Sequence, residues 1–397
     1  MLWHPYTQAE LEPPPVAIVR GEGAWLEAED GSRYLDAISS WWTCVHGHAH
    51  PRLVRAIAEQ AATLEHVIFA GMTHPPAVEL AERLTALLGL DRVFYSDNGS
   101  TAVEVALKMA FQYWANRGER RTRFLKLKGA YHGDTVGAMS VGGVPLFHEA
   151  FGDLLFRADT YEGEVGPDVA AVIVEPMIQG AGGMLVQEPR FLQEIADRCA
   201  KAKALLIADE VMTGFGRTGK MFACEHAGVR PDIVCLSKGL TGGVLAFAAT
   251  VASEAIYQAF FSKDPHRTFF HGHSFTGNPL GCAVALESLK IFDSEPLLER
   301  ASAIGQRIGR GLEPLRGRVK DLRGLGSIRA IELPDPVGGY LAEVGPRLRA
   351  MALERGVLLR PLGNVLYALP PLCLTDAEAD RIAAVMVELS EAALSGA

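Results

Sequence analysis

Apolar and polar positions follow two different rhythms along this chain. Near the start, residues 24–37, AWLEAEDGSRYLDA, predict a hairpin of two short alternating strands that turns at Asp30-Gly31. From about residue 50 to 290 the rhythm changes to short apolar runs separated by longer amphipathic stretches. The runs RVFYSD (92–97), FLKLKG (124–129), AAVIVEP (170–176), ALLIADEV (204–211), DIVCLSK (232–238) and FAATVAS (247–253) predict strands. Stretches such as RFLQEIADRCAKAK predict the helices between them. Near-continuous apolar strands alternating with helices predict an α/β domain around a mostly parallel sheet.

After about residue 295 the pattern loosens into an α+β region. There VLLRP and NVLYALPP predict strands around a turn at Gly363-Asn364. TDAEADRIAAVMVELSEAAL predicts a terminal helix opened by a capping box, Thr375 to Glu378. The hairpin is too small to stand alone. Residues 1–49 are therefore expected to pack with 295–397 as a small domain beside a large one over 50–294.

Composition narrows the function classes. With 397 residues, 49% hydrophobic and 21% charged, the chain can bury a large core. An excess of 47 acidic over 38 basic residues gives a net charge of −9, which disfavours nucleic acid as a partner. Six scattered cysteines without a CxxC pair point to a reducing compartment, so a cytoplasmic protein is expected. The first residues show no basic segment followed by an apolar one, and the most apolar stretch, GGVLAFAATVA, is too short to span a bilayer.

Three predicted strands end in chemistry, on the edge where doubly wound sheets bind ligands. RVFYSD runs into NGSTAVEVALKMAFQYW, where Gly99, Ser100 and the free N–H groups of a helix start form an anion cup. Thr101 and Glu104 are expected to cap that helix. ALLIADEV ends near Asp209, a carboxylate that needs a cationic neighbour after an apolar run. DIVCLSK ends on Lys238, whose ammonium loses hydration there. A lysine, an aspartate and a phosphate cup are what pyridoxal phosphate requires: an amine for its aldehyde, a carboxylate for its ring nitrogen, and a helix terminus for its phosphate. Read without a cofactor, Asp209 and Lys238 instead form an ordinary salt bridge.

The longest motif, LLIADEVMTGFGRTGKMFACEHAGVRPDIVCLSKGLTGG, resembles the signature of the class III, fold-type-I pyridoxal-phosphate aminotransferases. The spacing from Asp209 to Lys238 (238 − 209 = 29) fits it. The likeness runs from WHPYT to LLRPLGNVLYALPP, nearly the whole chain. SSWWTCVHGHAHP, DNGSTAVEVALKMA, YHGDTVGAMS, VEPMIQGAGGM and HGHSFTGNPLGCA narrow it to the biotin-synthesis branch. That branch aminates 8-amino-7-oxononanoate with S-adenosylmethionine as donor; a related one uses lysine.

By this resemblance Lys238 anchors the cofactor and shuttles the proton, Asp209 pairs with the ring nitrogen, and Val211 packs on a ring face. Gly99 and Ser100 hold the phosphate, and Tyr131 stacks near the ring and contacts substrate. Gly272, His273 and Ser274 reach cofactor and substrate from the neighbouring subunit of a homodimer. Ser274 keeps the hydroxyl of the family's usual threonine, whereas His273 is a departure. A long aliphatic acceptor ending in a carboxylate calls for flat apolar walls and a cation at the far end. Tyr6 and Trp41 supply the walls and Arg360 the cation, while Trp42 is read as core packing. Arg217 is read as a tie between two segments. Met212 stands where the ornithine and 4-aminobutyrate branches tend to carry glutamine.

Two other readings stay open. His46, His48 and His50 alternate in HGHAHP, and on an extended segment they share one face, as a metal hydrolase requires. An aminomutase or ω-amino-acid transaminase on the same fold keeps Lys238 and Asp209 and differs only in its pocket.

Overall fold

A computed structural model describes residues 2–335 and 339–396. The N-terminal hairpin forms as expected. β1 (Ile18–Glu22), β2 (Trp25–Ala28) and β3 (Arg33–Asp36) pair antiparallel in order. The predicted apolar runs then become β4 (Arg92–Ser96), β5 (Arg123–Lys126), the short β6 (Asp159–Thr160) and β7 (Val169–Val174). A two-stranded ribbon follows, β8 (Ile178–Gln179) with β9 (Leu185–Val186). β10 (Leu205–Asp209), β11 (Ile233–Leu236) and β12 (Ala248–Ala252) complete the set.

Seven of these strands make one sheet in the order β4-β12-β11-β10-β7-β5-β6. Its pairs are parallel except around β12, which runs antiparallel to both β11 and β4. β4 and β11 therefore point the same way, and the ends of β4, β5, β7, β10 and β11 share one edge. Successive side chains of a strand face opposite sides, so one sheet needs two cores. Ile207, Ile233 and Ile173 pack on one face against Ala102, Val103 and Ala106 of the helix Gly99–Asn116. Leu206, Val234 and Val172 pack on the other, against Leu80, Leu192 and Cys282 from the helices Pro75–Leu88, Pro189–Ala202 and Pro279–Ser294.

The C-terminal region adds β13 (Asp321–Leu325), β14 (Ile328–Glu332), β15 (Val357–Leu358) and β16 (Val365–Ala368). The last two do not pair across the Gly363-Asn364 turn as a hairpin. β15 joins β3 in parallel, and β16 joins β14 antiparallel in a separate sheet. Gly363 is left-handed (φ 60°), so the chain changes sheets there instead of folding back on itself. A third core joins both chain ends, with Leu35, Ile38 and Trp42 packing among Ile308, Leu366, Ile382 and Met386. The terminal helix, Asp376–Leu394, opens on the expected Thr375–Glu378 box. Among the described residues no helix is long and apolar enough to cross a membrane. All six cysteines are free thiols.

Candidate active site

The helix Gly99–Asn116 is capped one turn earlier than its sequence suggests. Asn98 accepts from the Thr101 N–H and Thr101 reaches back to the Asn98 N–H, so the capping box is Asn98–Thr101, not Thr101–Glu104. Glu104 instead accepts from the N–H groups of Gly137 (2.7 Å) and Ala138 (3.2 Å) and ties the next loop to the helix. The Gly99 and Ser100 N–H groups stay in the first turn, where no intrahelical carbonyl reaches them. A Cβ on Gly99 would stand 2.5 Å from Val211 Cγ1, so glycine lets β10's exit loop approach the helix start. Ser100 Oγ lies 2.7 Å from Thr135 Oγ1.

A cavity of about 460 Å³ opens here along the sheet edge. Asn98, Gly99 and Ser100 line one end; Asp209, Val211, Met212 and Lys238 line the rest. Lys238 is the first residue after Ser237 and takes a left-handed backbone (φ 45°), an unfavourable state for a lysine that turns its side chain off the strand. Its Nζ sits 4.6 Å above the centre of the Trp42 ring. Burial pulls the ammonium down to about 8, and the charges of Asp209 and Glu175 only partly resist this. Asp209 does not pair with Lys238: its Oδ2 lies 2.7 Å from His132 Nδ1 and its Oδ1 accepts from the Val211 N–H. The expected cationic neighbour is thus an imidazole, whose second nitrogen has no partner.

Glu175, at the end of β7, is fully buried beside this pair. Its two oxygens accept from the N–H groups of Tyr131 (3.0 Å) and Gly180 (2.9 Å), and burial pushes its carboxyl up to about 7. It holds the Tyr131 loop against the sheet.

A second cavity, about 290 Å³, opens off the first and shares Lys238, Trp42 and Tyr131 with it. Tyr6, Trp41, Phe147, Tyr340, Arg360 and Tyr367 complete its lining. Tyr6 and Tyr131 both donate to Asp134 Oδ2, at 2.7 and 2.9 Å, and burial raises both phenols so that they stay donors. The Arg360 guanidinium lies 5.1 Å over the Trp41 ring and 3.4 Å from the Tyr6 carbonyl. Among the described ion pairs none involves Arg360, which leaves its fork free for a carboxylate.

Trp42 differs from its sequence reading. It is core packing, 5% exposed, and its indole donates to the Tyr367 hydroxyl at 2.9 Å, yet it also walls both cavities. Arg217 ties segments as expected, donating to the Pro370 and Trp42 carbonyls. Gly272, His273 and Ser274 line neither cavity of their own chain. They lie on an outer loop where His273 Nδ1 is 3.4 Å from Asp97 and Phe270 and Phe275 are exposed. The HGHAHP histidines do not share a face, because that segment is a series of turns and not a strand. His46 bonds Ser288 and His48 bonds Asp36, and among the described residues no three His, Cys, Asp or Glu side chains gather as a metal site does.

Sequence reasoning missed His132, Glu175 and Asp134. The first and third sit inside the quoted YHGDT, and the second in VEPMIQGAGGM, so the signal was present but read for its neighbours. Phe147 and Tyr340 come from segments with no motif at all.

The family model described as aminotransferase class-III matches residues 6–162 and 156–389. An adenosylmethionine-8-amino-7-oxononanoate aminotransferase of Synechococcus elongatus is 52% identical, over 98% of this chain and 98% of its own. One of the same name from Geobacter sulfurreducens is 44% identical over 96% of this chain and 93% of its own. The crystal structure of the Methanocaldococcus jannaschii enzyme of that name superposes with a TM-score of 0.92 at 38% identity, covering 98% of this chain and 96% of that one. An amine transaminase from an uncultivated Pseudomonas species, in its PLP-bound form, also reaches 0.92, at 34% identity over 98% of both chains.

Proposed function

Because the chain belongs to the class-III aminotransferase family, we infer that it moves an amino group from S-adenosylmethionine to 8-amino-7-oxononanoate, giving the 7,8-diamino product of biotin synthesis. The observation that carries this is the position of Lys238 at the junction of two cavities, one ending in an anion cup and the other in a free guanidinium. The overall shape does not choose the substrate, since amine transaminases superpose equally well.

The residues of the first cavity fit pyridoxal phosphate. A buried carboxylate, a strand-end amine and two unpaired helix-start N–H groups face one space, and the glycine at 99 keeps that space open. When bound, the cofactor supplies an electron-poor pyridine ring that draws charge off the substrate carbon and carries the amino group between half-reactions. Asp209 holds a proton on the ring nitrogen, and His132 keeps the carboxylate aimed. Gly99 and Ser100 hold the phosphate, with His273 and Ser274 contributed by the second subunit of a homodimer. Lys238 anchors the aldehyde and, once freed, takes a proton from the substrate carbon and returns it at the neighbouring position. Its lowered basicity makes both directions accessible near neutral pH.

In the second cavity Tyr6, Trp41 and Tyr131 flank the aliphatic chain and Arg360 grips its terminal carboxylate, with Gly272 arriving from the partner. The two substrates take turns in one pocket, so ping-pong kinetics follow. The division into residues 50–294 and 1–49 with 295–397, and a reducing cytoplasmic setting, belong to the same reading. The shared core of the two chain ends supports the first and the free thiols the second.

The direct test supplies purified holoenzyme with 8-amino-7-oxononanoate and either S-adenosylmethionine or lysine. Diamino product with the first alone is expected. No product with either donor, beside turnover of simple ω-amines, overturns the assignment. Two variants probe the two cavities. Arg360→Ala is expected to raise the acceptor KM about 10- to 100-fold, the worth of a charge-assisted hydrogen bond, with little change for the donor; steady-state kinetics on each substrate separate these. Gly99→Ala, by pushing on Val211, is expected to weaken cofactor binding about tenfold in absorbance titrations of the apoenzyme.

A further inference from the structure

Arg217 is 1% exposed, and it bonds only carbonyls: Pro370 O at 2.9 Å and Trp42 O at 3.1 Å, with Nε left without a partner. A buried charge needs a counter-charge, and carbonyls do not supply one. The anionic groups that act on it are Asp36 and the sulfur of Cys44. Asp36 is already engaged. It accepts from the Ile38 and Ser40 N–H groups, and its Oδ2 lies 2.9 Å from His48 Nε2. The same imidazole hydrogen-bonds Cys44, and Thr43 Oγ1 lies 3.6 Å from the sulfur. Two cations, Arg217 and protonated His48, thus enclose one carboxylate and one thiol.

We propose that Cys44 is a modification site, its sulfur held as an anion between His48 and Arg217 and open to attack on hydroperoxides and other soft electrophiles. With a hydroperoxide the sulfur forms an S–O bond as the O–O bond breaks. The departing oxygen takes the proton of His48, leaving a sulfenic acid, water or alcohol, and a neutral imidazole. Electrostatics agree with the geometry. Burial raises the Cys44 thiol, but the His48 hydrogen bond and charge overcome it and the thiol ends below its ordinary value. Burial likewise lowers His48, while Asp36 and Cys44 carry it up to about 10. The other five thiols are all raised by burial, Cys373 to about 11.

An added atom on this sulfur has little room. A Cβ on Gly243 would stand 2.9 Å from it, and Thr43 and Trp42, the next residues up the chain, wall the substrate cavity. Modification therefore displaces that wall. This holds whichever amine the protein transfers.

The test treats holoenzyme with limiting iodoacetamide and maps the label by peptide mass. Cys44, only 9% exposed, is expected to react at least about tenfold faster than the more open Cys373, at a rate nearly flat from about pH 6 to 8. His48→Gln is expected to slow it about tenfold. Labelling of Cys373 first, or a Cys44 rate that climbs about tenfold per pH unit as for an un-ionised thiol, overturns the proposal without bearing on the transferase reading. Hydrogen peroxide is expected to add one oxygen to Cys44 and silence the enzyme, while Cys44→Ser keeps its activity. Full activity with Cys44 oxidised overturns the link to the cavity wall.

Discussion

Lys238→Met loses amino transfer by at least about 10⁴-fold, because the substitution removes the cofactor's anchor and the general base together. The visible absorbance of the holoenzyme disappears with it; retention of both that band and turnover contradicts the role. The same variant gains stability as an apoenzyme. Lys238 falls from an ordinary 10.5 to about 8 on folding, so the folded chain binds fewer protons than the unfolded one between those values. Stability of the unsubstituted apoenzyme then rises with pH across that window. Below about pH 8 the methionine variant is ahead by at most about 3 kcal/mol, reduced by the water that reaches Lys238 through the cavity. Above pH 10.5 that difference is gone. Denaturant titrations at pH 7 and 10.5 give the comparison, and a variant less stable at pH 7 refutes the account.

Asp209→Asn is the second large effect, a loss on the order of 10²–10³-fold in kcat. The amide keeps the volume and a bond to Val211 N–H, but it cannot hold a proton on the ring nitrogen. His132 Nδ1, 2.7 Å away, faces either an amide oxygen or an amide N–H. The expected signature is a lower kcat with cofactor still bound, seen as a retained but shifted absorbance band. Equal loss of binding and turnover points instead to a collapsed site.

The large sheet was legible because its strands are apolar on both faces and separated by amphipathic helices. All six predicted runs became strands, shortened by one to three residues at their ends. Lys238 and Asp209 were legible for the opposite reason, as charges where apolar runs end. Capping was misread by one turn, since Asn98 and Thr101 compete with Thr101 and Glu104 for one helix start and only the loop at Gly137 decides where Glu104 goes. β15 and β16 were misassigned to each other because partners 300 residues away leave no local trace. Trp42 shows the limit of either-or readings, since one ring is both core and wall.

The pairing of β15 with β3 also dictates an order of assembly during synthesis. Every strand of the seven-stranded sheet lies between residues 92 and 252, so Asp209 and Lys238 can be in place while the last third of the chain is still on the ribosome. The walls around Arg360 cannot. They need residues 6 and 41–43 to meet 340–367, contacts of very high sequence separation that close only once translation is nearly finished. A nascent chain thus acquires its chemistry before its selectivity.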